Sequence, residues 1–243
     1  MAAERVPLLA SIDFAGREIA YRVEFGRRRN MYITVHPDLS VDVQAPLHAA
    51  IGEVQQFVAS RGSWIATQLL RYESLAPVRL DQPYVSGALH MLHGREITLD
   101  LAPGLFDAVE LKGGKLTVSC PDWRAEEQAG ELVEEWFLER ALEYLPPRME
   151  HWFKLARPVL RVGYPELRIG YMKRCWGTSS QRGWVHLNSE LVKIEPDCAD
   201  YVIVHELCHL RERGHNKRFY GLVERSMPDW RRRSRRLERY VIC

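Results

Sequence analysis

Hydrophobic and polar residues alternate along much of the first 120 residues, with the two-residue period of half-buried strands. Turn residues separate these runs, and Gly113-Gly114 lies between the last two, as in a hairpin. The predicted strands cover 17–25, 31–37, 40–46, 88–92, 95–101 and the hairpin 108–120. One helix is predicted among them at 49–72, where apolar residues recur at three- and four-residue spacings.

The remaining residues follow a mainly helical pattern. Acidic residues fill the first turns of a helix predicted at 125–145, and Pro146-Pro147 is expected to break or kink it before it resumes to about 156. Strands are predicted at 166–173 and 184–191, and helices at 196–212, 216–226 and 228–240. The pattern therefore predicts an α+β fold, with a β-rich N-terminal region at 1–122 and a helical domain with a small sheet at 123–243.

The composition is that of an ordinary globular protein. Apolar residues make up 46% of the 243 residues and charged residues 27%. No run of about 18 or more apolar residues predicts a membrane-spanning helix, and the N-terminus lacks a signal-peptide pattern, so a cytoplasmic protein is expected. Five scattered cysteines without CxxC spacing argue against a disulfide framework and against a cysteine-bound zinc site.

One dense run of basic residues lies near the C-terminus. The net charge is only +2, yet "RRRSRR" occupies 231–236. This run is typical of the solvated face of a terminal helix, and it would also suit the phosphates of a nucleotide or nucleic acid. This basic run therefore leaves a nucleotide or a nucleic acid as a possible partner.

The candidate chemistry lies in "HELCHLRERGH" at 205–215, which begins inside the predicted helix 196–212. His205 and His209 are four residues apart, so both imidazoles lie on one helix face and can direct nitrogen atoms at one ion. Zinc accepts imidazole nitrogen, and Glu206 projects from the neighbouring position toward a water on that ion. The HExxH pattern therefore predicts Zn2+ as the cofactor and Glu206 as the general base of a hydrolase.

A catalytic zinc commonly has three protein ligands, and His215 is the best candidate for the third. Gly214 precedes it and can turn the chain out of the helix, so that His215 reaches back to the metal. Glu212 and Glu224 are the acidic alternatives, on the same helix and on the following one. The alternative without a metal is a buried helix whose histidines bond to the backbone, which leaves several polar groups to satisfy at once.

Four segments resemble the YgjP-like metallopeptidases, a branch of the zincins near the SprT proteases. "HELCHLRERGHNKRF" at 205–219 resembles the signature HExLxHL…HxxxF, and "MKRCWGTSSQRGWVHLNSEL" at 172–191 resembles MKxxWGSCSxxGxIxLNxxL. More loosely, 27–46 is similar to RRxxxxIxVxxxGxVxVxAP, and 93–101 is similar to LGxxYxLxV. The resemblance covers about residues 20 to 235.

The resemblance implies a zincin-like metallopeptidase domain with an HExxH helix at 123–243. It implies that His205, His209 and His215 bind zinc. It also implies that Glu206 is the general base, so the residues and the resemblance lead to the same candidate site.

The chain departs from the family pattern at two neighbouring positions. Thr178 stands where the family often has serine, and Ser179 where it often has cysteine. Two roles for the preceding Trp176-Gly177 turn stay open. The turn lies beside the site, with Trp176 packed under the active helix, or it is purely structural and is held by Gly177 and Asn188.

The leading hypothesis is a zinc metallopeptidase that acts on a peptide or protein, with 184–191 as an edge strand that pairs with an extended peptide. One alternative is a metal-dependent nucleotide phosphohydrolase, in which Lys173, Arg174 and Arg182 contact phosphates. Another is a DNA-associated protease of the SprT type, recruited through 231–236. The last alternative is a non-enzymatic protein with a structural zinc. Structural zinc sites usually have four protein ligands, so three histidines without a fourth ligand argue against this alternative.

Overall fold

The computed structural model describes residues 7–74 and 77–242, and the chain forms two compact units with the border between Val78 and Arg79. The first unit contains a four-stranded sheet in the order β1-β2-β4-β3. Its strands are β1 (Leu8–Phe14), β2 (Arg17–Gly26), β3 (Tyr32–Val35) and β4 (Val41–Pro46). Strands β2 and β4 run parallel, and the other neighbours run antiparallel. The three strands predicted in this region are confirmed, and β1 is an additional strand that the pattern does not predict.

The predicted helix 49–72 is two helices, α1 (Ile51–Ser60) and α2 (Gly62–Ser74). Arg61 lies between them with φ −108° and ψ 5°, outside helical geometry. Gly62 follows at a close approach, because a Cβ at this position would overlap the ring of Phe14. The prediction of one continuous helix is therefore wrong, and packing against β1 accounts for the interruption.

The second unit begins with another four-stranded sheet, in the order β6-β7-β9-β8. The two-residue strand β5 (Val78–Arg79) precedes it at the border. The strands of this four-stranded sheet are β6 (Leu89–Leu92), β7 (Arg95–Pro103), β8 (Ala108–Lys112) and β9 (Lys115–Cys120). The predicted hairpin is confirmed: β8 and β9 pair antiparallel around Gly113 and Gly114, whose φ angles are 59° and 81°.

The long helix α3 (Glu126–Leu160) runs without interruption through Pro146 and Pro147. The helix is therefore not broken at these prolines, and the alternative of a kink stays a prediction. Each proline removes a backbone hydrogen bond from the helix interior, which disfavours the helix locally. The helix is nevertheless buried along one face on both sides of the prolines, for example at Phe137, Leu145 and Met149, and this burial offsets the local cost.

A three-stranded sheet follows, formed by β10 (Glu166–Gly170), β11 (Gly177–Ser180) and β12 (Trp184–Asn188). Its order is β10-β12-β11, so β12 is the central strand, parallel to β10 and antiparallel to β11. The prediction that 184–191 is an edge strand is therefore wrong. The strand also ends at Asn188, whose side chain accepts a hydrogen bond from the Glu190 N–H and starts a short 3-10 helix, Ser189–Val192. An edge of this sheet is formed by β11.

Three helices complete the chain, α4 (Pro196–His209), α5 (Lys217–Ser226) and α6 (Trp230–Leu237), followed by the short strand β13 (Tyr240–Val241). The three predicted helices are confirmed, each shorter than predicted. Pro196 lies in the first turn of α4, where its missing N–H leaves no bond unmade. None of the helices in the described ranges is both long and apolar enough to cross a bilayer.

Four of the five cysteines lie within the described residues. Cys120, Cys198 and Cys208 are buried and Cys175 is exposed, and all four are free thiols. Cys243 lies outside the described residues.

The architecture is α+β, as the sequence pattern predicts. The compact units do not follow the predicted division between 1–122 and 123–243, because β6 to β9 belong to the second unit. In that unit the sheet packs against α3 through β8 and β9. The division at 122 stays a prediction about domain organisation.

A buried ion cluster holds the 3-10 helix against α3. The Lys193 ammonium lies 2.8 Å from Glu190 Oε1 and 3.2 Å from Glu134 Oε1. Only 4% of the Lys193 side chain and 8% of the Glu190 side chain are exposed. Tyr84 Oη donates to Glu134 Oε1 at 2.6 Å, and the ammonium also lies 4.4 Å from the Phe137 ring centroid. Lys193 is therefore the cation of the buried Glu190 carboxylate, whereas Glu134 also accepts a hydrogen bond from Tyr84 and is partly exposed.

We expect Lys193→Met to lower the free energy of unfolding by about 3 kcal/mol, because it leaves the buried Glu190 carboxylate without its cation. Chemical denaturation at neutral pH measures the loss. Lys154→Met is the matched control. It removes an exposed ion pair between Lys154 and Glu150, both on α3, and should change stability little. Equal stabilities of the two variants would contradict a stabilising role of the cluster.

Candidate metal centre

The centre of the site is the C-terminal end of α4. This helix is buried along most of its length, so its packing fixes the positions of His205 and His209. The chain leaves the helix after His209 and returns at Asn216, whose side-chain oxygen accepts hydrogen bonds from the N–H groups of Arg218 and Phe219. This cap starts α5 directly after His215 and holds that histidine beside α4.

The structure brings the three predicted histidines together. Nε2 of His209 lies 3.1 Å from Nε2 of His205 and 3.1 Å from Nε2 of His215, and the remaining pair is 3.0 Å apart. Three nitrogens bound tetrahedrally to one zinc lie about 3.4 Å from one another, because each Zn–N bond is about 2.0–2.1 Å long. The observed separations are a few tenths of an ångström shorter than this value, and they are close enough for the three nitrogens to face one small ion.

Hydrogen bonds among the histidines cannot account for this triangle. A neutral imidazole carries hydrogen on only one of its two nitrogens. Nδ1 of His209 lies 3.0 Å from the carbonyl oxygen of Glu212, to which it donates, so Nε2 of His209 presents a lone pair to the other two rings. In any arrangement of hydrogens, at least two of the three nitrogens present the same kind of group to each other, so the three contacts cannot all be hydrogen bonds. One cation shared by three lone pairs satisfies all of them, so the chemistry of the donor set fits a bound metal.

Neighbouring groups orient the rings of His205 and His209, and burial favours the neutral form of His205 and His215. Nδ1 of His205 lies 3.4 Å from Tyr201 Oη, and the carbonyl of Glu212 orients His209. Burial, with the neighbouring histidines adding to it, lowers the pKa of His205 to about 3. The pKa of His215 is also lowered, mainly by burial. Neutral imidazole is the form that binds a metal, and such partners on the outer nitrogen fix its orientation.

Phe219 packs against all three imidazoles from one side. Its ring centroid lies 4.4 Å from that of His209, in a stacked arrangement, and 4.9 Å and 4.8 Å from those of His205 and His215. The side chain is fully buried. The aromatic ring therefore supports the three histidines, and the HxxxF spacing after His215 is the sequence signal that could have revealed this role.

Glu206 lies on the same helix turn, between the histidines and β11. Its side chain is buried, and Ser179 Oγ donates a hydrogen bond to its Oε2 at 2.7 Å. Burial raises the pKa of Glu206 to about 7, although the bond from Ser179 opposes this shift. A carboxyl group whose pKa is near neutrality is suited to take up and release a proton. Sequence reasoning names Glu206 but not the role of Ser179.

The Trp176-Gly177 turn lies beside the site, as one of the two predicted roles requires. A Cβ added at Gly177 would lie 2.7 Å from Cγ of Glu206, so only glycine leaves room for this carboxylate. The turn is also held structurally, because Asn188 Nδ2 donates to the carbonyl groups of Met172 and Cys175. Both roles therefore contribute, while packing of the Trp176 side chain under α4 stays a prediction.

The metal cleft, of about 480 Å³, is lined by the three histidines, Glu206 and the β11 residues 177–179. The acidic alternatives for the third ligand lie outside the histidine cluster in the described part of the chain. Glu212 Oε1 accepts a hydrogen bond from Asn216, and Glu224 Oε2 accepts one from Trp230 and pairs with Arg231. His215 thus completes the cluster.

Comparison with known proteins gives one family and one similar structure. The crystal structure of the metallopeptidase zymogen of Pyrococcus abyssi abylysin is similar at 24% sequence identity and a TM-score of 0.33, over 37% of this chain and 90% of that one. No curated protein matches the chain significantly. The family model described as "YgjP-like, metallopeptidase domain" matches residues 29–240. The match covers most of the chain, and the protein belongs to the YgjP-like metallopeptidase family.

Proposed function

We propose that this metallopeptidase is zinc-dependent, that His205, His209 and His215 bind the metal, and that Glu206 is the general base. The observation that carries the proposal is the triangle of three Nε2 atoms 3.0–3.1 Å apart beside a buried carboxylate. Three imidazole ligands suit zinc and leave a coordination position for water or substrate.

The chemistry follows from the placement of the carboxylate. When bound, zinc supplies Lewis acidity that polarises a carbonyl group and makes water a stronger nucleophile. Oε1 of Glu206 is free of the bond from Ser179 to Oε2, so it can accept a proton from the attacking water. The same oxygen can deliver the proton to the leaving amine, which completes peptide hydrolysis. Ser179 positions the carboxylate throughout.

The edge strand β11 is the element best placed to bind an extended substrate. It pairs with β12 on one side, and its residues 177–179 line the metal cleft. A peptide that adds to a sheet edge forms backbone hydrogen bonds independent of its side chains. Substrate binding along β11 would therefore bring a scissile carbonyl close to the three histidines.

The alternatives that depend on basic residues stay predictions. Lys173, Arg174 and Arg182 are not among the described residues that line the metal cleft. The arginines of 231–236 are largely paired within the chain, as Arg233 shows by its contacts with Asp197, Asp200 and Asp229. Charge already neutralised in this way is less available to phosphates.

Activity assays of the zinc-loaded protein distinguish peptide hydrolysis from phosphate chemistry. We expect cleavage of an unfolded protein such as casein, loss of cleavage with a chelator, and recovery after addition of zinc. The same preparations are tested for release of phosphate or pyrophosphate from nucleoside triphosphates. Release from nucleotides without cleavage of casein would overturn the proposal in favour of the phosphohydrolase.

We expect Gly177→Ala to reduce kcat strongly while the metal content stays the same. The added methyl group would displace the Glu206 side chain, whereas the three histidines lie elsewhere in the cleft. Gly163→Ala is the control, since a Cβ at that position meets no atom within 4 Å and its backbone is not left-handed. Metal analysis and casein cleavage measure both variants. Unchanged kcat in Gly177→Ala would show that the carboxylate position does not matter.

A further inference from the structure

A second cleft, which we call the basic cleft, lies at the ends of α3 and α4 and along α5. Its volume is about 720 Å³. Five basic side chains and one acidic side chain line it: Arg161, Arg211, Lys217, Arg218, Arg225 and Glu212. The five basic residues are exposed and have no ion-pair partner among the described residues. This excess of uncompensated positive charge contrasts with the paired arginines of 231–236.

The basic cleft and the metal cleft share one loop. Residues 210–216 place Arg213 and His215 in the metal cleft, and Arg211 and Glu212 in the basic cleft. Gln181, which lines the metal cleft, donates from Nε2 to the carbonyl oxygen of Arg211 at 3.4 Å. A bound polypeptide that runs past the three histidines can therefore reach the five basic side chains along this shared loop.

The lining favours an acidic polypeptide over a nucleic acid. Besides the charged residues, the cleft is lined by the half-buried Val159, with the buried Leu160 and Leu222 beneath its surface, and none of its described lining residues is aromatic. Proteins that bind single strands commonly stack bases on aromatic rings. The net charge of only +2 also gives little general attraction for a polyphosphate chain. Arginine binds carboxylates well, because its planar guanidinium group matches their geometry.

We propose that the basic cleft is a docking site for acidic segments of the polypeptide substrate. The proposal rests on the proposed peptidase function for its biological meaning, but the binding it describes does not require cleavage. Negatively charged residues on one side of the scissile bond would contact Lys217, Arg218 and their neighbours while the backbone lies in the metal cleft. The protease would thus select substrates by an acidic segment outside the cleaved bond.

Fluorescence anisotropy tests the binding directly. The probe is a labelled peptide of alternating glutamate and glycine, compared with the same peptide carrying glutamine in place of glutamate. The protein is the full-length zinc-loaded Glu206→Gln variant, at about 50 mM salt, where exposed charges are only partly screened. We expect the glutamate peptide to bind at least about tenfold more tightly and its affinity to fall as salt is raised.

Three double variants locate the binding. Lys217→Glu with Arg218→Glu should weaken it about tenfold, and acidic residues suit this first turn of α5, so the fold is retained. The neutral pair Lys217→Gln with Arg218→Gln should give a smaller loss. Arg235→Glu with Arg239→Glu makes the same charge change on the surface of the C-terminal segment and should alter binding little.

Three results would overturn the proposal. They are equal affinity for the two peptides, equal losses in the two charge-reversed variants, and tighter binding of oligothymidylate that the Lys217 and Arg218 changes abolish. The last result would assign the cleft to nucleic acid. In active protein the same Lys217 and Arg218 changes should raise KM for an acidic substrate about tenfold and leave kcat and zinc content unchanged. Failure of casein cleavage with intact peptide binding would refute the peptidase mechanism and not the basic cleft.

Discussion

Replacing Glu206 by glutamine is expected to lower kcat by about 10²- to 10⁴-fold, the range typical of a lost general base. Glutamine has nearly the same shape, and its amide can still accept the hydrogen bond from Ser179 Oγ. It cannot take up a proton from water at neutral pH. The loss should therefore appear in kcat, with zinc content and stability near those of the wild type. Steady-state cleavage of a quenched fluorescent peptide, with metal analysis of the same samples, measures both quantities.

Ser179→Ala separates positioning from proton transfer. It removes the 2.7 Å hydrogen bond to Oε2 but leaves the carboxylate in place. We expect a smaller loss of kcat than for Glu206→Gln. If Glu206→Gln retains wild-type turnover while zinc is bound, another group must take the proton and the proposed mechanism fails.

The elements of this fold that the sequence predicts are those with a local cause. The hairpin at Gly113-Gly114 follows from turn chemistry, and the HExxH helix follows from residue spacing. The failures have a nonlocal cause. The helix α3 passes through Pro146 and Pro147 because apolar contacts on both sides hold it, and those contacts cannot be read from the prolines.

The small sheet shows the same limit. The period of 184–188 identifies a strand but does not reveal its neighbours, because strand order depends on where β10 and β11 pack. The segment β11 itself, Gly-Thr-Ser-Ser, has the composition of a turn, so its strand conformation is decided by pairing with β12. The hypothesis of an edge strand at 184–191 failed for this reason, and β11 supplies that edge.

Only part of the candidate site can be identified from the sequence. His205, His209 and Glu206 are identified by spacing on one helix, and His215 by the glycine before it. Ser179 is distant in sequence from Glu206, and nothing in its local sequence predicts the hydrogen bond between them. Residues that support a site from other elements therefore need the fold before they can be assigned.

His209→Ala is expected to abolish stoichiometric zinc binding, whereas the wild type should bind about one metal per chain. The substitution removes the imidazole whose Nε2 lies 3.1 Å from Nε2 of each of the other two histidines, and two imidazoles alone hold zinc far more weakly. Metal bound only to the folded state stabilises it by about 2.7 kcal/mol at a free concentration 100 times the Kd. Zinc should therefore raise the Tm of the wild type and not that of His209→Ala. Inductively coupled plasma analysis and thermal denaturation with and without zinc measure the two effects.

His151→Ala is the matched control, because this exposed histidine lies outside the cluster and its loss should change neither zinc content nor the zinc-dependent rise in Tm. Comparison with Glu206→Gln then separates the two halves of the site. His209→Ala should lose metal and activity together, and Glu206→Gln should lose activity alone. If His209→Ala binds zinc as tightly as the wild type, the metal lies elsewhere. The triangle of histidines would then need another explanation for three nitrogens held so close together.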